Sequence, residues 1–184
     1  MIKVKTREAF LSVVETQLPS MCKAVEIGVL YGGFAEEIIR IINPRELVLV
    51  DPFTQSDSRY GKDGLHTAYS TETDYQELIR KFDGEIMSGR VKVVRLFSYH
   101  AVEHLVDSDY DFIYIDASHL YHDVKRDLND WLPKLKRGGV IAGHDYVDYP
   151  EFGVIKAVDE FIEEHGFEMT IFNTEGGDWA LQKI

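Results

Sequence analysis

The chain has 184 residues, of which 45% are hydrophobic and 28% charged, and 20 Lys and Arg against 32 Asp and Glu give a net charge of −12. That length suits a single domain over residues 1–184 with a real core, and that composition excludes a disordered chain. The acidic balance argues against nucleic acid or an anionic membrane as partner, because phosphate binding needs clustered Lys and Arg.

A first helix is expected over Glu8–Leu18, inside an N-terminal segment 1–20. Ala24–Val29 and Leu47–Val50 are short, nearly continuous apolar runs, as are Val91–Val94, Phe112–Ile115, Val140–Ala142 and Met169–Phe172. Such runs suit parallel strands covered on both faces. Between them lie amphipathic segments read as helices: Phe34–Ile42, Tyr75–Phe82, Tyr99–Val106 behind Ser98 as N-cap, Tyr121–Leu135 and Ile155–His165. The tail reads as strand, Gly-rich turn and strand, with Asp178–Leu181 closing an antiparallel hairpin. The alternation predicts an α/β fold: a Rossmann-like, doubly wound, mostly parallel sheet of seven strands with that hairpin at its C-terminus. Residues 52–73 fit no element and read either as a functional loop, which the resemblance given below makes a lid or acceptor loop with Tyr60, His66 and Tyr69 as contacts, or as a surface insertion.

Cys22 is the only cysteine, which excludes an internal disulfide and a thiolate zinc cluster, and it reads as a small buried hydrophobe. No apolar run is long enough to span a bilayer, and no apolar stretch follows the charged N-terminus as in a signal peptide. The cytoplasm is the expected location. The N-terminal helix and the hairpin offer surfaces for a homo-oligomer.

Three constellations carry chemistry. In Glu26-Ile27-Gly28-Val29-Leu30-Tyr31-Gly32-Gly33 a strand gives way to a glycine turn and a helix. The spacing is neither the dinucleotide fingerprint nor a P-loop, so a nicotinamide oxidoreductase and a nucleotide triphosphatase are disfavoured. Glu26 would repel phosphate and accept from a cationic group. Asp51 ends the second strand, where an acid takes ribose hydroxyls or simply caps a turn. Asp116 and His119 follow one strand, and His144 and Asp145 another. Ligands bind along that edge of an open α/β sheet. Two carboxylates and two imidazoles there can move protons or hold a divalent ion, or they can cap turns.

Tyr114–Tyr121 and Trp131–Tyr146, together with Val25–Phe34 and Asp51, resemble the class I S-adenosylmethionine-dependent methyltransferases. The resemblance covers Ala24 to Lys156. It is closest to the small-molecule O-methyltransferase branch containing the macrolide and aminocoumarin sugar enzymes, with the catechol enzymes as more distant relatives. It implies S-adenosyl-L-methionine as cofactor and a small hydroxylated acceptor, a sugar or phenol. Glu26, Gly28 and Gly32 would line the methionine end, with Glu26 answering its ammonium. Asp51 would take the ribose, Phe97 and Ser98 would border the adenine, and Asp116 would face the sulfonium.

The same resemblance implies a divalent metal, Mg²⁺, Mn²⁺ or another, at Asp116, His144 and Asp145. His119 falls where the catechol-type relatives carry a lysine base. His144 stands where an acid is usual, which disfavours Mg²⁺ and suits a borderline ion. The alternative at these positions is metal-free catalysis with His119 or His144 as base beside Asp116. Methyl transfer to nitrogen and a non-catalytic binder of S-adenosylmethionine are the competing functions.

Overall fold

The computed structural model describes residues 1–54 and 70–182. Tyr60, His66 and Tyr69 of the expected acceptor loop lie outside the described residues.

The chain runs β1 (Ile2–Val4), α1 (Arg7–Glu15), β2 (Lys23–Ile27), α2 (Gly33–Ile41), β3 (Glu46–Val50), α3 (Glu72–Lys81), α4 (Asp83–Met87), β4 (Val91–Val94), α5 (Ser98–Ala101), β5 (Tyr110–Ile115), α6 (Tyr121–Trp131), β6 (Leu135–Gly143), α7 (Val154–His165), β7 (Glu168–Asn173) and β8 (Trp179–Gln182). Among the described residues the strands form one eight-stranded sheet in the order β1-β7-β8-β6-β5-β2-β3-β4. β8 is antiparallel to both neighbours, and every other pairing is parallel.

The sheet has one strand more than the sequence led us to expect. Ile2–Val4 pairs in register with Ile171–Asn173, extending the sheet beyond β7. The first helix runs Arg7–Glu15, ending three residues before the expected Leu18, and Thr6 starts it by accepting from the Ala9 amide at 3.1 Å. Tyr121–Leu135 also divides. Pro133 cannot continue the helical ladder, so α6 passes into a 3₁₀ turn over Leu132–Lys134 and Leu135 already belongs to β6.

Alternation along the strands builds two cores. Ala24, Leu47, Leu49, Phe112, Tyr114, Val140 and Ala142 face α1 and α2, with Phe10, Leu11, Phe34 and Ile38 packed on them. Val25, Ile27, Val48, Val50, Ile113, Ile115 and Ile141 face the other side, under Leu128, Trp131, Val158 and Phe161 of α6 and α7. Burial on both faces explains the unbroken apolar runs. Among the described residues no helix is long and apolar enough to cross a membrane.

The chain moves outward from β2 through β3 to β4, then returns to β5 on the other side of β2. This reversal opens a crevice beyond the C-terminal ends of β2 and β5, the usual ligand position in open α/β sheets.

Candidate functional site

At the end of β2 the backbone turns sharply. Gly28 sits at φ +84°, and its amide donates to the Val50 carbonyl at 2.9 Å. On the β5 side, the Asp116 amide donates to the Ile27 carbonyl at 2.8 Å. A β-carbon on Gly28 would lie 2.1 Å from the Asp116 carbonyl oxygen, so only glycine allows this approach.

Asp51 ties the turn to β3. Its Oδ2 accepts from the Val29 and Leu30 amides at 2.9 and 3.1 Å. Its Oδ1 accepts from the Phe53 amide at 2.9 Å and from the Ser70 hydroxyl. The carboxylate is buried and meets four donors among the described residues, roughly its full capacity.

Inside this frame lies a cavity of about 470 Å³. Glu26, Gly28, Asp51, Phe97, Ser98, Asp116 and His119 all line it. Gly32 does not, although Gly33 does. A β-carbon on Gly32, which sits at φ +79°, would come within 2.7 Å of the Phe82 ring.

Glu26 is 1% exposed, and its Oε2 has no hydrogen-bond partner among the described residues. Burial, followed by the nearby Asp116 charge, pushes its carboxyl well above the usual range, against the opposing pull of Arg7. A buried carboxyl without a donor is costly unless something supplies one.

Arg7 lines the same cavity from the start of α1. Its Nε donates to Asp178 Oδ1 at 3.1 Å, its guanidinium lies 4.6 Å from the Phe34 ring centre, and its Nη2 is 3.9 Å from Asp116 Oδ2. Asp178 is fully buried and also accepts from the Tyr114 hydroxyl at 2.6 Å and from Asn173 Nδ2 at 2.7 Å. The sequence reading did not find Arg7 or Asp178.

Phe97, Ser98 and Tyr99 form the far end of the cavity with α6. Ser98 does not cap its helix. Its hydroxyl donates to Asp127 Oδ1 at 2.6 Å. Asp127 is buried on α6, and burial pushes it up to about 7 against the pull of that hydrogen bond. Arg126 stacks on Tyr99 and pairs with Asp123 at 3.1 Å.

The predicted polar cluster assembles where β5 and β6 end. His119 Nε2 lies 2.9 Å from Asp145 Oδ2 and 3.7 Å from Asp116 Oδ1. His144 Nδ1 lies 3.2 Å from Asp145 Oδ2 and 3.9 Å from Asp116 Oδ1. His144 and Asp145 stand beside the cavity, reaching it through Asp116 and His119. Burial opposes charge on His119, but the carboxylates of Asp116 and Asp145 beside it outweigh that and raise the ring to about 9. His144 is raised for the same reason, chiefly by Asp145. Asp145 is itself held well below the usual carboxylate range by both histidines, despite its burial. Its φ of +59° is unusual for a non-glycine residue, a feature common at functional sites. Asp116, His144 and Asp145 each offer one donor atom, all within 4.8 Å of one another.

A family model described as a methyltransferase domain matches residues 25–146, from β2 to the loop after β6. The chain belongs to the methyltransferase domain family. Every site residue expected from the sequence lies inside the span matched to that methyltransferase domain, while Arg7 and Asp178 lie outside it. An uncharacterized protein of Sinorhizobium fredii (strain NBRC 101917 / NGR234) is 25% identical over 170 residues, covering 83% of this chain. The chain spans only 17% of that relative's length. Among solved structures, a protein from Corynebacterium glutamicum aligns with a TM-score of 0.70 at 14% identity, over 98% of this chain and 83% of that one. A candidate methyltransferase from Streptococcus mutans in complex with SAH gives 0.65 at 14% identity, over 96% and 95%. A candidate caffeoyl-CoA O-methyltransferase from Staphylococcus aureus gives 0.67 at 15% identity, over 98% and 86%. At these identities the methyltransferase domain shares their fold.

Proposed function

We propose that this chain is an S-adenosylmethionine-dependent methyltransferase that methylates a hydroxyl oxygen of a small molecule, a sugar or phenol, in the cytoplasm, assisted by a divalent metal. One observation carries the reading: Glu26, a buried carboxyl with an oxygen that has no partner among the described residues, lines the cavity at the sheet's switch point. Such a group calls for a cationic donor, and the ammonium of the cofactor's methionine end supplies one. The methyltransferase family and the SAH complex of the Streptococcus mutans neighbour support the same reading.

The bound cofactor supplies an electrophilic sulfonium methyl, so the chain's own task is to align and deprotonate the acceptor. Glu26 orients the methionine end. Asp51 receives the ribose by exchanging the Ser70 hydroxyl on Oδ1, while Oδ2 keeps the glycine turn fixed through Val29 and Leu30. Phe97 and Ser98 border the base. Asp116 belongs to both the cavity and the polar cluster, so it links the cofactor to the acceptor.

The donor set of Asp116, His144 and Asp145 fits a divalent ion, because three donor atoms converge within 4.8 Å. Two carboxylates and an imidazole favour Mn²⁺, Fe²⁺ or Zn²⁺ over Mg²⁺. Such an ion would lower the pKa of an acceptor hydroxyl. His119, 2.9 Å from Asp145, is the imidazole beside the cluster, and only its neutral form, the majority above about pH 9, can take the departing proton.

Calorimetry with S-adenosylhomocysteine, with Mn²⁺ and again with EDTA, followed by turnover of a panel of phenols, sugars and amines, tests the proposal. Micromolar binding and Mn²⁺-dependent methylation of a hydroxyl are expected. Binding without turnover would point to a non-catalytic binder, and methylation of amines alone would move the chemistry to nitrogen. Failure to bind under either condition would overturn the methyltransferase reading.

A further inference from the structure

An α-amino acid carries an ammonium and a carboxylate on one carbon, so a site that recognises it by charge needs an anion and a cation side by side. Glu26 is the anion. Among the described residues two arginines line the cavity, and Arg126 is held beside α6 by Tyr99 and Asp123. Arg7 stands on the Glu26 side. Glu26 pairs across the sheet with Tyr114, and the Tyr114 hydroxyl bonds the Asp178 carboxylate that holds Arg7.

The way Arg7 is held also matters. Asp178 engages Nε, and the nearest carboxylate to Nη2, that of Asp116, is 3.9 Å away, beyond a hydrogen bond. Phe34 covers the guanidinium face at 4.6 Å, and Phe34 packs in turn on Tyr114 at 4.1 Å between ring centres. The side chain is thus fixed through one nitrogen and one face, and among the described residues no hydrogen bond engages its terminal nitrogens, while the residue lines the cavity. This is the geometry of a pre-oriented anion receptor, because a planar guanidinium binds a carboxylate through two parallel N–H donors.

We propose that Arg7 binds the α-carboxylate of the cofactor's amino-acid end, with Glu26 taking the ammonium beside it, so that α1 completes a cofactor site otherwise built from residues 25–146. The proposal rests on the reading of this cavity as an S-adenosylmethionine site. Asp178 is the positioning residue that orients Arg7. Both lie outside the family-matched span, near opposite ends of the chain.

Two ligands differing in one group test it: S-adenosylhomocysteine and its decarboxylated analogue, S-adenosyl-3-thiopropylamine. Wild type is expected to bind the first about tenfold or more tightly than the second. Arg7→Gln is expected to lose about that factor for S-adenosylhomocysteine and to bind the analogue as wild type does. Arg7→Lys should keep part of the preference. The wild-type comparison needs no variant, so it stands even where Arg7→Gln fails to fold. Equal wild-type affinity for the two ligands, or a parallel loss for both in Arg7→Gln, would overturn the role of Arg7 and leave the cofactor reading intact. Wild type that binds neither ligand would overturn both.

Discussion

Gly28 and Asp116 meet backbone to backbone, so closely that a β-carbon on Gly28 would lie 2.1 Å from the Asp116 carbonyl oxygen. The contact joins the turn after β2 to the end of β5, across the sheet's switch point. Gly28 also occupies φ +84°, where L side chains are strained. Gly28→Ala therefore adds a steric clash to a conformational cost. We expect a loss of about 3 kcal/mol or more in urea denaturation. A wild-type midpoint would mean that the two strands can separate without cost.

Asp51 and Glu26 are both buried carboxyl groups in the cavity wall, but they should respond oppositely to replacement. Asp51→Ala removes the acceptor for the amides of Val29, Leu30 and Phe53. A buried donor left unpaired costs about 1–3 kcal/mol, so stability and S-adenosylhomocysteine affinity should fall together. Glu26→Gln removes no hydrogen bond from Oε2. The folded-state pKa of Glu26 is raised, so its contribution to stability is present below the ordinary 4.5 and is lost as pH rises. The glutamine variant should therefore gain on wild type in melting temperature as pH increases from 4.5, while binding the ligand about tenfold or more weakly. Melts paired with calorimetry separate the two behaviours.

The parts of this molecule that were legible in the sequence are those in which local chemistry and tertiary role agree. β2, β3 and β5 are covered on both faces, and their unbroken Val, Ile and Leu runs announce it. Asp116 and Asp145 stand where strands run out, so strand prediction alone brings them to one edge. β1 was invisible because Ile2 and Lys3 are exposed and Val4 only half-buried, so the three acquire a strand only by pairing with Ile171–Asn173. Ser98 read as a cap because a serine before an apolar run usually is one, yet its partner is Asp127, on a different helix. Arg7 and Asp178 are 171 residues apart, and no spacing rule connects them. One signal was available: an arginine in a helix's first turn opposes the helix dipole, so it needs an anion from elsewhere.

Asp127 gives the protein a pH dependence near neutrality. Burial raises its carboxyl to about 7 from 3.8, the ordinary value it regains on unfolding. Its contribution is fully present below 3.8 and is lost as pH rises through 7, because the charged form is then buried. Asp127→Asn cannot ionise and keeps a carbonyl to accept from Ser98. The melting temperature of the variant relative to wild type should be higher at pH 8 than at pH 5. A difference independent of pH would show that Asp127 is already charged, or already solvated, in the folded protein.

The Arg7–Asp178 pair should behave as one unit. Asp178→Ala would leave the Arg7 Nε, the Tyr114 hydroxyl and Asn173 Nδ2 without their shared acceptor. Breaking a buried, hydrogen-bonded pair from one side costs about 3–5 kcal/mol. Tyr114→Phe removes only one neutral donor and should cost about 1 kcal/mol. Removing Arg7 as well as Asp178 deletes both charges, so the double variant should be more stable than the sum of the single losses predicts. The coupling energy from urea melts of the four proteins is the decisive quantity. A value near zero would mean that Asp178 is held by Tyr114 and Asn173 alone, with Arg7 free to leave the cavity at no cost to the fold.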